Sequence, residues 1–467
     1  MIRLFRVFIP TSQLALLFSE ILLITSCFLA ATYIAIKPEI KDDFWIFLVD
    51  ESGFLRIGLV VVSIVSGLHL MDLYSRLQVK SRARLLEELC QVVGVALLSQ
   101  GLISYAVPPL RLGRGIMLWG SMFTLVILFL WRIVYSQYML NVLPGNRILF
   151  IGANQVIAEM AEHIVEHPEI GMSIAGYLVN HESEADGLVG GKSLGTIGAI
   201  REVVESIRPD RIVLGLSERR ERMPMLDLLE LRFAGYRIEE AGTTYETVCG
   251  RICTKELRPS HLIFSGELGP RPGSLLFQNV LNMSVAAVGA VVSLPVMGLV
   301  AIAVKLTSPG PVLYRQVRVG QNGALFTVFK FRSMRADAEA GTGAVWASAD
   351  DPRITRLGKF LRRTRLDELP QFFNVLRGEM SLVGPRPERP EFVKTLSEQI
   401  PYYRQRHCVK PGITGWAQIN HKYGDTIEDT IKKLEYDLYY IKHISPGLDA
   451  YIIFQTLKTM VLTRGAQ

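Results

Sequence analysis

Cysteine is scarce in this chain, and what there is lies scattered. Cys27, Cys90, Cys249, Cys253 and Cys408 are the only five among 467 residues, and no two form a CxxC pair. Cys249 and Cys253 have helical i, i+4 spacing, but no further Cys or His cluster completes a zinc site beside them. Reduced thiols fit a cytosolic setting for the soluble parts. Charged residues make up only 20% of the chain. Interleaved aromatic and basic residues and a groove-reading helix are both missing, so nucleic acid is not an expected partner. The first apolar run is long and others follow it, which reads as a membrane span and not as a cleavable leader.

What the chain has in excess is apolar sequence. Hydrophobic residues reach 49%, and the mean hydropathy is +0.27. The formal net charge of +7 suits anionic lipid or phosphorylated small molecules. Four stretches, about Gln13–Ile36, Phe54–Leu73, Leu85–Val107 and Gly115–Met139, approach or reach the ~20 residues that cross a bilayer as a helix. Basic residues sit at Arg3 and Arg6, at Arg76, Lys80, Arg82 and Arg84 after the second stretch, and at Arg132 and Arg147 after the fourth. The first outer loop is acidic instead, with Glu39, Asp42, Asp43, Asp50 and Glu51 against Lys37 and Lys41. Arg111 and Arg114 in the second outer loop are a mild exception. The positive-inside rule then predicts four spans with both ends cytosolic, over residues 1–142.

From Asn146 the pattern changes to alternating strands and helices. Arg147–Gly152, Ile174–Val179 and Arg211–Leu216 read as buried strands, and Val156–His167 and Ile200–Ile207 as helices. Such alternation predicts a parallel sheet, over residues 143–245. The turn Gly152-Ala153-Asn154-Gln155-Val156-Ile157 stands where a dinucleotide fingerprint would, without its second and third glycines. A Rossmann-like module lacking a tight nucleotide site is the expectation. A Gly- and Pro-rich connector follows, over 246–272.

Leu275–Leu306 is almost wholly apolar. At 1.5 Å per residue it would run ~48 Å as a straight helix, longer than the ~30 Å hydrocarbon core. Its middle holds Ser293-Leu294-Pro295. Proline removes a backbone donor and crowds the preceding turn, so a kink is expected, and the Ser293 hydroxyl can satisfy a freed carbonyl. Lys305, Arg315, Arg318, Lys330, Arg332 and Arg335 follow at once. Their charge favours a re-entrant segment, 275–306, that returns to the cytosolic side over a fifth span.

Beyond it, Asn322-Gly323 between two apolar runs signals a hairpin. Basic residues then recur at Lys330, Arg332, Arg353, Arg356, Lys359, Arg362, Arg363 and Arg365. They suit either lipid headgroups or a diphosphate gripped by Arg forks. In Arg365-Leu366-Asp367-Glu368-Leu369-Pro370-Gln371 a helix is predicted to start, with Asp367 as N-cap and Gly378 as stop. The two carboxylates either cap that helix or serve phosphoryl chemistry. In the second reading the helix dipole and cations keep Asp367 ionised for attack on phosphorus, and Glu368 holds Mg²⁺. Arg386, between Pro385 and Pro387, and Lys410, before Pro411-Gly412, sit on stiff loops. With Lys330, Arg332, Arg353, Arg365 and Gln371 they make up the candidate substrate-binding set.

These residues carry a resemblance. Lys330 to Met334 (KFRSM), Leu366 to Gln371 (LDELPQ), Asn374 to Pro387, Lys410 to Gln418 (KPGITGWAQ) and Leu434 to Ile441 (LEYDLYYI) occur in the order seen in the bacterial sugar transferases. These are monotopic polyprenyl-phosphate glycosyl-1-phosphate transferases. The whole chain looks like their large form, which places four spans and a Rossmann-like domain before a transferase domain, here 273–467. The resemblance implies transfer of a sugar-1-phosphate from a UDP-sugar to undecaprenyl phosphate at the cytoplasmic membrane, initiating exopolysaccharide or capsule assembly. It makes Asp367 the nucleophile, Glu368 the Mg²⁺ partner, Pro295 the breaker of the re-entrant helix and Arg386 a phosphate handler. One departure stands out: Gln278, Asn279 and Asn282 replace the basic pair and Asp that often open the re-entrant segment, which puts the anchoring of that end in question. Two rival readings are an inactive membrane sensor with a regulatory middle domain and a Mg²⁺-dependent polyprenyl-diphosphate hydrolase. The sequence names neither the sugar nor the role of the spans, for which homodimer formation is one option.

Overall fold

The computed structural model describes the chain except residues 1, 5–6, 37–40, 76, 80, 140–145, 181–187, 216–223, 255–271, 336–337, 339–350, 422–425 and 462–467. Lys37, Glu39, Arg76, Lys80 and most of the predicted connector thus lie outside the described residues. Apart from the first seven residues, the chain forms two compact units, 8–239 and 240–467.

The first unit opens with helices α1 (Thr11–Ala35), α2 (Lys41–Val49), α3 (Gly53–Leu70), α4 (Arg82–Ala106) and α5 (Arg114–Val134). The four long ones are apolar enough to cross a membrane, and the short α2 was not foreseen in the acidic loop. Their shared core is Leu16, Ile24, Phe28, Ile57, Ile64, Leu68, Leu89 and Leu128. Into it the fold also buries a charge pair. Arg132 Nε lies 2.8 Å from Glu20 Oε1, Nη2 donates to Oε2 at 3.1 Å and Nη1 to the Leu73 carbonyl at 2.8 Å. Arg132 is therefore not the free loop charge that the orientation argument counted, because its guanidinium is spent on Glu20.

The rest of this unit is a five-stranded sheet built from β1 (Asn146–Ile151), β2 (Met172–Val179), β3 (Ser193–Thr196), β4 (Arg211–Leu214) and β5 (Arg237–Glu240), in the order β3-β2-β1-β4-β5. The pairs β1–β2, β1–β4 and β2–β3 are parallel. Helices α6 (Gln155–Glu166), α7 (Ile200–Ile207) and α8 (Met225–Phe233) accompany them. That order, reversing direction at β1, is the doubly wound arrangement. Asn154 Oδ1 accepts the Ile157 N–H at 2.9 Å, so a side chain caps α6 where a phosphate would sit in a glycine-rich turn. β3, α8 and β5 are short, and the sequence did not reveal them.

The second unit begins with α9 (Ala241–Cys249). Its contacts, and those of the segment just after it, run to a helix near the C-terminus, α15 (Ile427–His443): Tyr245 Oη and, beyond α9, Thr254 N–H reach Glu435 at 3.3 and 3.0 Å, and Lys442 Nζ reaches Glu246 at 2.8 Å. The start of the expected connector, 246–254, is thus packed structure.

Helix α10 (Pro272–Thr307) runs unbroken for 36 residues with Pro295 inside it. Ser293 Oγ donates to the Gly289 carbonyl at 2.6 Å, one turn back, and not to the Val291 carbonyl that Pro295 leaves without a donor. The departures at its start have a structural reason. Gln278 and Asn282 are buried; Gln278 Nε2 donates to Tyr440 and Asp449, and Asn282 Nδ2 donates to Ser381 Oγ at 2.8 Å. Neutral amides suit these positions because each meets a buried acceptor. Further along, Ala286 packs with Val328 and Val383, and Met297, Val300 and Val304 pack with Phe331 and Leu361.

Strands β6 (Leu313–Val319) and β7 (Leu325–Phe331) form the predicted antiparallel hairpin, with Leu313 opposite Phe331. After it come α11 (Arg356–Thr364), α12 (Gln371–Leu376), β8 (Ser381–Val383), α13 (Pro390–Gln399), β9 (Gly412–Thr414), α14 (Trp416–Asn420), α15 and α16 (Pro446–Val461). β8 and β9 pair in parallel. Truncating Gln278 to Ala would strip the buried Asp449 and Tyr440 of a donor and should cost about 1–3 kcal/mol. The same change at half-exposed Asn279 should cost less than about 0.5 kcal/mol. Thermal unfolding of the two variants in detergent checks the contrast.

Candidate active site

The site is built around a sharp turn. α11 ends at Arg365, which takes φ 55° and ψ 18° and is half-buried. A left-handed conformation is costly for a side chain with a Cβ, and non-glycine residues held in it cluster at functional sites. The chain then makes a single 3₁₀ turn over Leu366–Glu368 before α12 begins at Gln371. Asp367 is therefore not the predicted N-cap; Pro370 occupies that place, with no side-chain cap. Gly378, with φ 77°, ends the segment as expected.

Asp367 and Glu368 are both buried, 7% and 8% exposed. Glu368 Oε1 accepts from Lys330 Nζ of β7 at 2.9 Å and from Arg386 Nη2 at 3.1 Å. Arg365 Nη1 stands 3.7 Å from Oε2. Burial pushes the Glu368 carboxyl up, but Lys330, Arg386 and Arg365 together hold it well below the usual carboxylate range. Asp367 moves the other way. Its own burial and the Glu368 charge push it up, against Lys330, Arg362 and Arg386. Neighbouring carboxylates driven apart in this way take different roles. The cations that the sequence assigned to Asp367 go first to Glu368. Lys330 is lowered by burial, an effect that Glu368 opposes.

The other candidates are distributed unevenly. Arg332 is buried, but its fork donates to the Ser308 and Pro309 carbonyls, both at 2.8 Å, and so holds the exit of α10. Arg353 is bidentate on Asp351, with Nε at 2.8 and 3.0 Å. Gln371 is buried at the first position of α12, and Lys410 is half-buried just before β9. Arg362, absent from the candidate set, acts on Asp367 and is fixed by Nε donating to Ser333 Oγ at 2.9 Å. Arg362 lies five and six residues before the carboxylates, across the left-handed turn at Arg365, so no local spacing in the sequence pointed to it.

Four cations thus face two carboxylates, which suits a ligand of several negative charges such as a diphosphate. Adjacent carboxylates are hard oxygen donors of the kind Mg²⁺ takes, and among the described residues the cation paired with Glu368 Oε2 is Arg365, at 3.7 Å. Among the described residues no group of three metal-binding side chains occurs; the hard oxygen donors at this site that could hold an ion such as Mg²⁺ are those of Asp367 and Glu368. The strain at Arg365 can be separated from its charge. Arg365→Gly and Arg365→Ala both remove the guanidinium, but only Gly relaxes the left-handed turn, so it should be the more stable variant by roughly 1–2 kcal/mol. Paired melting curves measure this.

Comparison with known proteins covers these same residues. The profile of the family described as "Bacterial sugar transferase" matches residues 273–463. A UDP-N-acetylgalactosamine-undecaprenyl-phosphate N-acetylgalactosaminephosphotransferase of Aeromonas hydrophila is 44% identical over 222 residues, 48% of this chain and 52% of that protein. A UDP-glucose:undecaprenyl-phosphate glucose-1-phosphate transferase of Xanthomonas campestris pv. campestris is 35% identical over 335 residues, 67% of this chain and 66% of that one. One of the same name from Caulobacter vibrioides is 40% identical over 199 residues, 42% of this chain and 74% of the relative. The chain spans about half the length of the Aeromonas relative and just under two thirds of the Xanthomonas one. With the profile lying over the elements that assemble the carboxylate pair and its cations, the chain belongs to the bacterial sugar transferase family.

Proposed function

We propose that this protein moves a sugar-1-phosphate from a UDP-sugar to undecaprenyl phosphate and releases UMP, working at the cytosolic face of a bacterial inner membrane. The observation that carries the reading is the buried Asp367–Glu368 pair ringed by Lys330, Arg362, Arg365 and Arg386. Relatives named for this transfer, on glucose and on N-acetylgalactosamine, support it.

In this mechanism a carboxylate oxygen of Asp367 attacks the sugar-bearing phosphorus. The bond between the two phosphates breaks, and UMP leaves with its electron pair. An oxygen of undecaprenyl phosphate then attacks the same phosphorus, the Asp367–phosphorus bond breaks, and the carboxylate is restored. One phosphoanhydride is made for one broken, so no ATP is needed. Glu368, already matched by Lys330 and Arg386, does not compete for the phosphorus. Arg362, which acts on Asp367, and Arg365, beside Glu368, would meet the charge growing on the diphosphate, and electrostatic stabilisation of this kind is often the largest catalytic contribution. Mg²⁺ bound by Glu368 and the phosphates would supply further neutralisation of the leaving group.

The re-entrant reading of α10 draws support from its packing. Its first half is bonded to Tyr440, Asp449 and Ser381, and its second half packs on Phe331 and Leu361. A helix crossing ~30 Å of hydrocarbon would separate its ends on two sides, whereas both ends here belong to one unit. A shallow dip also keeps the site level with the acceptor's phosphate.

UMP release should require membranes, Mg²⁺, undecaprenyl phosphate and one sugar of a panel including UDP-glucose, UDP-galactose and UDP-N-acetylgalactosamine. It should stop on chelation and fall at least ~10³-fold in Asp367→Asn. Substantial turnover by that variant would remove Asp367 from the nucleophile role. For topology, a fluorescent protein fused after Gln467 should fluoresce, while alkaline phosphatase fused there should be inactive. The reverse pair of results would place the transferase outside and sink the re-entrant reading.

A further inference from the structure

Arg386 reaches Glu368 from an extended loop, Gly384–Glu388, whose carbonyls are gripped one after another. Pro385 O accepts from Gly412 N–H at 3.0 Å, Arg386 O from Arg406 Nη2 at 3.1 Å, Pro387 O from Arg318 Nη1 at 3.0 Å and Glu388 O from Val319 N–H at 2.9 Å. The loop has little room to slide along β9. A Cβ on Gly384 would lie 2.4 Å from the Lys410 carbonyl, and one on Gly412 would lie 2.1 Å from Gly384 N. Two prolines flank Arg386 and fix φ on either side. Its aim therefore depends on how the loop is held.

Two of these donors are backbone N–H groups and two are guanidinium groups, of which Arg406 is the more deeply buried. Arg406 is buried, and its Nε and Nη2 meet Asp437 Oδ2 at 3.1 and 2.8 Å, while Nη1 donates to the Tyr403 hydroxyl at 2.9 Å. Asp437 and Tyr403 are each 2% exposed. Burying such a pair is expensive, and replacing one by apolar residues of similar volume is often neutral or stabilising. A stability role alone accounts poorly for it. We propose that the Arg406–Asp437 pair is a positioning device for Arg386: Asp437, on α15, fixes the Arg406 fork, and the fork fixes the Arg386 carbonyl so that its guanidinium arrives at Glu368. Neither residue touches the carboxylate pair. The inference rests on the reaction proposed above.

The test uses the full-length protein in membranes, with UMP release from whichever UDP-sugar the wild type takes. In the double variant Arg406→Met, Asp437→Leu the charge pair gives way to apolar side chains, so the unfolding temperature should stay near that of the wild type. The turnover number should nevertheless fall by about 10- to 100-fold, the scale of a misplaced catalytic contact. Introduced into Arg386→Lys, the same double change should cost less than about threefold more, because residues acting through a shared partner are not additive. If the double variant does not fold, Arg406→Lys, which keeps the charge and loses the fork, gives the same two comparisons. Equal losses with and without Arg386, or losses that follow only the amount of folded protein, would overturn the inference. A wild type that releases no UMP from any sugar would overturn the reaction and this inference together.

Discussion

Two neighbouring carboxylates held away from water are the constraint around which the transferase unit is organised. Each charge destabilises the other, and burial magnifies the repulsion as the local dielectric falls. The fold answers with cations delivered from separate elements: Lys330 from a hairpin strand, Arg362 and Arg365 from the end of α11, and Arg386 from a loop pinned to β9. Because three of them lie on Glu368, the pair divides into a firmly ionised member and one with a raised pKa. Unequal ionisation permits a division of labour between a reacting carboxylate and one that orders its surroundings.

The elements that deliver these cations rest on α10. Its buried face carries Gln278, Asn282, Ala286 and Ala290 in the first half and Met297, Val300 and Val304 in the second. Polar residues come first, each bonded, and apolar ones follow. Its other faces expose Val288, Val291, Val292, Leu299 and Leu306, surface that lipid can cover at no hydrophobic cost. The same helix thus packs as a core element on one side and, on the other, leaves an apolar face of a length and composition that could cross a membrane. That arrangement ties α10 to Phe331 and Leu361, and through β7 and α11 to Lys330 and Arg362.

Much of this was legible in sequence because the signals were local. Apolar runs of span length, alternating strands and helices, Asn322-Gly323 at a hairpin, and Gly378 after a helix each reflect a constraint settled within a few residues. The adjacent carboxylates and the surplus of arginines also pointed to phosphate chemistry. Harder to see was which arginine does what. Arg332, Arg353 and Arg365 look alike in a basic run, yet Arg332 caps the exit of α10, Arg353 pairs with Asp351, and Arg365 stands at Glu368. The Arg132 pairing with Glu20 was hidden for the same reason, since its partner lies 112 residues away.

The sequence by itself determined the classes of element, the membrane character and the chemical kind of the centre, because periodicity, length and residue type set those with near neighbours alone. Tertiary structure decided the allocation of charge: which cations meet Glu368, why Asp367 is not a helix cap, and how Arg406 and Asp437 come to hold the Arg386 loop. Guanidinium and ammonium groups all attract carboxylates. What selects among them is distance and burial, and both exist only once segments far apart in the chain are packed together.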